Sequence, residues 1–116
     1  MKALNKIWDI YRSCWSEPNA TQRTKKLQKI LTDDFEYRDP NFEIKGYQEL
    51  SGYMQQFQEQ FTEASFVTKD ISIHHNRCLV NWYMVNAKSE TLSNGTSFVL
   101  CENNKLKQIT GFFKED

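Results

Sequence analysis

Among residues with reactive side chains, Asp39, the adjacent pair His74 and His75, and the cysteines Cys14, Cys78 and Cys101 are the ones whose setting suggests chemistry. Phe35-Glu36-Tyr37-Arg38-Asp39 alternates with period two, and Pro40 then removes a backbone donor and ends pairing. On such a strand Phe35, Tyr37 and Asp39 share a face, so an inward aromatic row would carry a carboxylate with it. Asp-Pro is also a common strand-ending turn, in which the carboxylate accepts local backbone hydrogen bonds, and Arg38 could neutralise it; both uses stay open.

The histidines invite a metal reading, but adjacent strand residues point to opposite faces, and no Cys or carboxylate stands beside them at ligand spacing. Ordinary solvent or backbone partners at a hairpin end, and no metal, are expected. The cysteines are odd in number, scattered and without a CxxC, which suggests buried free thiols and neither a disulfide framework nor a zinc site. No Ser, Thr or Cys nucleophile has a recognisable base, and the four Gly form no phosphate loop.

The elements that must position these residues follow from periodicity. Leu4, Ile7, Trp8, Tyr11, Cys14 and Trp15 recur at steps of three and four, which predicts a helix with Lys6, Asp9, Arg12 and Ser13 facing water. After Pro18 and Asn19 a second helix carries Ala20, Leu27, Ile30 and Leu31, with a solvated basic side at Arg23, Lys25, Lys26 and Lys29, closed by Asp33-Asp34. Phe42–Lys45 is a short returning segment. A third helix opens at Gly46, with Glu49 in its first turn, a buried stripe of Leu50, Met54, Phe57 and Phe61, and Tyr47 and Tyr53 on its margins. From Ser65 the period becomes alternating, and strands are expected near 65–75, 78–89, 93–102 and 105–114. Turns at Asn76-Arg77, Ser93-Asn94-Gly95 and Asn103-Asn104 would make neighbours antiparallel.

This order is an α+β plan with helices on one side of an antiparallel sheet. Cys78, Val80, Trp82 and Met84 form one row of a long strand, and Leu79, Tyr83 and Val85 form the other. Helices can cover one row only, so a homodimer through the outer sheet face is expected.

At 116 residues one core is expected, and aromatics at 14% supply bulky material for it. Lys plus Arg equals Asp plus Glu at 15 each, so no long-range field gathers polyanions, which argues against nucleic-acid or membrane-surface binding. The start lacks a secretion signal and no segment approaches a membrane span, so a cytoplasmic location is expected.

Tyr11-Arg12-Ser13-Cys14-Trp15, the run Leu31 to Pro40, and Ile44-Lys45-Gly46-Tyr47-Gln48-Glu49-Leu50 resemble the SnoaL-like branch of the nuclear transport factor two superfamily. That superfamily includes ketosteroid isomerases and polyketide cyclases. Asn81-Trp82, Asn94-Gly95-Thr96 and Leu106 to Phe113 match its later strands, so the resemblance covers essentially the whole chain. It implies a cone-shaped α+β barrel of cystatin-like topology, with three helices walling a deep pocket, commonly dimeric and needing no cofactor.

The resemblance also implies roles. Asp39 matches the catalytic carboxylate, and an apolar cone would suit it to remove a proton next to a carbonyl. Tyr11 matches a helix-one tyrosine whose hydroxyl donates to the developing enolate oxygen. This scheme is borrowed from ketosteroid isomerase, in which a second, protonated acid assists. Around Thr96-Ser97-Phe98 this chain offers only hydroxyls in place of that acid, which disfavours steroid isomerisation. Trp8, Trp15, Tyr53, Phe57, Val80, Trp82, Met84, Ile109 and Phe113 would converge on one apolar volume for an apolar small molecule, with Tyr37 and Asn86 at its mouth. A non-catalytic ligand-binding or protein-interaction module on the same fold is the alternative.

Overall fold

The aromatic spacing of the first segment produces helix α1 (Lys2–Cys14), which buries Leu4, Trp8, Tyr11 and Cys14 along one side, with Trp15 just beyond its end. A computed structural model describes residues 2–113 of the chain. Helix α2 (Ala20–Ile30) begins after Pro18, where Asn19 Oδ1 accepts the Gln22 N–H at 3.0 Å and caps the helix. Helix α3 (Gly46–Gln60) starts at Gly46, whose φ of 81° suits a residue without a Cβ. There Glu49 accepts the Lys45 N–H at 3.0 Å across the first turn.

Six strands complete the chain: β1 (Leu31–Arg38), β2 (Glu43–Lys45), β3 (Ser65–His74), β4 (Arg77–Val85), β5 (Thr91–Glu102) and β6 (Lys105–Phe113). They form one sheet in the order β2-β1-β6-β5-β4-β3. The helices lie over one face of this curved sheet, which stays open and does not close as a barrel. All neighbours are antiparallel except β1 and β6, which pair in parallel through Tyr37 opposite Ile109 and Arg38 opposite Thr110. The all-antiparallel expectation is thereby corrected. The pairing is non-local: the chain runs from β1 through β2, α3, β3, β4 and β5 before it reaches β6.

Several local expectations also change. Leu31 belongs to β1 and not to α2, because a residue four after Leu27 and four before Phe35 satisfies either period; Asp33 and Asp34 are exposed strand residues. Ser93-Asn94-Gly95 is interior to β5, and the β4–β5 turn spans 86–90, where the Asn86 side chain accepts the Lys88 and Glu90 N–H groups. Asn86 is therefore a turn residue and not part of a pocket mouth. Phe61 ends α3 as an exposed residue outside the buried stripe. Arg23, expected on the solvated side, is only 1% exposed; its position four before Leu27 places it on the buried stripe. Its guanidinium donates to Ser51 Oγ at 2.8 Å, Gln55 Oε1 at 2.9 Å and the Glu17 carbonyl at 2.6 Å, which ties α2 and the α1–α2 turn to α3.

The core is continuous from Leu4 through Leu27, Phe35, Leu50 and Met54 to Val80, Val99 and Ile109. The three cysteines are buried free thiols. Leu79, Phe98 and Phe112 remain exposed, with Leu79 and Phe98 paired across β4 and β5. No helix among the described residues is long and apolar enough to cross a membrane. The last expected strand position, 114, lies outside the described residues.

Candidate functional site

Asp39 leaves the end of β1 in a tight turn in which its N–H donates to the Phe42 carbonyl at 3.0 Å. Its Oδ1 accepts the Asn41 and Phe42 N–H groups at 2.8 and 3.0 Å. Its Oδ2 faces the other way and accepts the hydroxyls of Tyr37 at 2.6 Å and Tyr53 at 2.7 Å. The carboxylate is thus a turn acceptor and part of a cavity wall at once. Arg38 does not neutralise it, because that guanidinium pairs with Glu36 and Glu43.

Tyr37 reaches Asp39 because residues two apart on a strand share a face, and Tyr53 comes from the facing side of α3. Burial drives the Tyr37 phenol far above its ordinary range, and the neighbouring Tyr11 and Asp39 push the same way, so it acts as a donor. Tyr11 is likewise pushed far up by burial, with Trp15 hydrogen-bonding its oxygen. No acceptor among the described residues takes the Tyr11 hydroxyl proton.

Around these groups lies a cavity of about 440 Å³. Asp39, Tyr11, Trp8, Trp15, Tyr37, Tyr53, Phe57, Trp82, Met84 and Phe113 all line it. Val80 and Ile109 do not: at 0% and 1% exposure they lie in the core. Side-chain alternation assigns a face but not a depth, and these positions fall where the sheet is covered directly.

Trp15 is the hub of the aromatic wall, with ring centroids 5.4 to 6.0 Å from Phe57, Tyr53, Phe66 and Tyr37. Indole N–H groups on the wall are satisfied by the protein: Trp8 donates to Thr68 at 3.0 Å and Trp82 to Ser97 at 3.1 Å.

Several lining residues had no distinctive signal in the sequence. Ser97 is 6% exposed, and its oxygen accepts the Trp82 indole, which leaves its own proton available to the cavity. Gly111 lies between Asp39 and Ser97; a Cβ there would stand 3.7 Å from Asp39 Cβ and 3.8 Å from Ser97 Oγ. The mouth carries the exposed apolar residues Phe42, Phe61 and Leu92 together with Arg12, Gln56 and Gln60. Arg12, expected to face water, reaches across to donate to the Phe66 carbonyl at 2.9 Å. Among the described residues no three His, Cys, Asp or Glu side chains converge as a metal site.

Three helices over a curved, open sheet with a cavity between the layers define an α+β domain like nuclear transport factor two. Within that class, residues 11–109 match the SnoaL-like domain family, and the chain belongs to it. A candidate isomerase of the SnoaL-like family from Agrobacterium tumefaciens is similar in structure, with a TM-score of 0.90, 19% identity, and 99% of this chain and 100% of that chain covered. A candidate SnoaL-like polyketide cyclase from Jannaschia sp. has a TM-score of 0.73 at 9% identity, over 95% of this chain and 86% of that one. A candidate ketosteroid isomerase from Kribbella flavida has a TM-score of 0.72 at 14% identity, over 99% and 80%. At such identities the likeness concerns the fold. No curated protein matches the sequence.

Proposed function

We propose that this chain is a cofactor-independent pocket protein that receives an apolar carbonyl compound, and that Asp39 removes a proton next to the carbonyl. The observation that carries the reading is the meeting of a carboxylate oxygen with two phenols on the wall of a cavity of about 440 Å³ lined mainly by aromatic side chains. In this reading the aromatic faces hold the apolar body of the ligand. The hydroxyls of Tyr11 and Ser97, the latter accepting from the Trp82 indole, donate their protons to the carbonyl oxygen as it becomes an enolate. Asp39 Oδ2 takes the carbon-bound proton once the ligand displaces one of its phenol donors, and it returns that proton at a second carbon.

A second reading, binding without turnover, is favoured by the four hydrogen bonds that occupy the Asp39 oxygens, since a carboxylate with two acceptors' worth of bonds on each oxygen has no idle lone pair. Asp39→Asn separates the two. Assayed on a panel of enolisable ketones, it is expected to lower kcat by about 10²-fold or more, the usual scale of general-base catalysis, with little change in KM. Equal turnover by the variant and the parent chain would remove Asp39 from the chemistry. A ligand that copurifies in native mass spectrometry, with no turnover of any ketone, would favour the binding module.

We also propose that two copies associate through the outer sheet face, where Leu79, Phe98 and Phe112 stand 48%, 42% and 60% exposed.

A further inference from the structure

We propose that His74 and His75 form a two-imidazole chelate for a zinc ion at the tip of the β3–β4 hairpin. His74 is the last residue of β3, but His75 is not a strand residue: its φ is 45° and that of Asn76 is 61°, the left-handed pair of a tight hairpin turn. The alternation that sends adjacent strand side chains to opposite faces therefore stops at His74. The turn brings the second imidazole back beside the first, and the two Nδ1 atoms stand 3.2 Å apart.

That separation fits a zinc ion. Two nitrogens about 2.05 Å from one zinc ion and 3.2 Å from each other subtend about 103° at the metal, near the tetrahedral angle zinc prefers. The turn is held in place without either ring nitrogen: Arg77 Nη1 donates to the His75 carbonyl at 2.8 Å, and the Asn76 carbonyl accepts the Cys101 N–H at 2.8 Å. Both rings are exposed, so the ion has direct access.

Without metal, the 3.2 Å contact sets an Nδ1–H of one ring against the Nδ1 lone pair of the other. Zinc takes both lone pairs, and that proton moves through water to Nε2 of the same ring, so each ring ends as the Nε2–H tautomer. No third His, Cys, Asp or Glu converges on the pair among the described residues. The two remaining tetrahedral positions therefore hold water, which makes this an open, exchangeable site and not a structural one.

Calorimetric titration of the untagged full chain with zinc chloride in a non-chelating buffer tests the assignment, with His74→Gln and His75→Asn as variants. Asn is chosen because it tolerates a positive φ and preserves the turn. The parent chain is expected to bind one zinc ion, and each variant to bind it about ten-fold or more weakly, since either change removes the chelate and leaves a single imidazole. Zinc should also raise the Tm of the parent by more than that of either variant, while all three unfold alike in its absence. Absence of zinc binding by the parent chain overturns the proposal, as does equal affinity in parent and variants or a loss confined to one of the two changes.

Discussion

The Asp39 side chain has two faces with different duties: Oδ1 holds the turn through Asn41 and Phe42, and Oδ2 meets Tyr37 and Tyr53 at the cavity. The aromatic alternation announced this residue in the sequence and set Tyr37 on its face, whereas Tyr53 was legible only as wall material, because a hydroxyl's partner across 14 residues is a matter of tertiary placement. Ser97 was legible only as a hydroxyl standing in place of an acid; what makes it a donor is burial beside Trp82. Another consequence at this scale concerns Cys14. Burial pushes its thiol from an ordinary 9.0 up to about 11, with Lys26 opposing and Glu17 assisting. The group's folded pKa is raised, so its contribution to stability is complete below pH 9 and is lost as the pH climbs through about 11. Denaturant midpoints measured between pH 8 and 11 are expected to fall in the parent chain and to fall less in Cys14→Ala, once each is referred to its own value at pH 8.

At the scale of elements, the helices could be read from the sequence because their spacing is a local property, and α1 and α3 lie where periodicity puts them. Asn94-Gly95 and Arg23 depart from the commonest use of their residue types. Asn94-Gly95 is a frequent turn signal, yet Gly95 sits inside β5 beneath the Trp82 ring. A Cβ there would lie 2.5 Å from Trp82 Cζ2 and 2.5 Å from the Phe112 carbonyl oxygen. Gly95→Ala is therefore expected to destabilise the fold by about 1–3 kcal/mol, the range for overpacked interiors. Urea denaturation would measure it, and pairing it with Trp82→Leu should recover only part of the loss, since the backbone oxygen remains in the way. Arg23 is buried where the neighbouring lysines are not, because its guanidinium meets three acceptors inside.

For the whole molecule, the layered α+β plan and the position of the helices followed from element order, whereas the parallel junction of β1 with β6 did not, since no short-range signal reports a pairing between distant strands. The proposed association through the outer face makes a definite prediction: light scattering of the parent chain should give twice the mass of one copy, and Leu79→Lys with Phe98→Lys should give a monomer whose cavity-dependent properties are otherwise retained. A monomeric parent would remove the pairing and leave the exposed cross-strand contact of Leu79 with Phe98 without that explanation.

Because β6 lies between β1 and β5, the last of the described elements to leave the ribosome is the one that joins the two parts of the sheet. A nascent chain can assemble β3 to β5 by neighbouring hairpins, but β1 and β2 then wait with an open edge until β6 arrives. Native structure in this domain is consequently acquired late in synthesis, and chaperone dependence should concentrate in that interval.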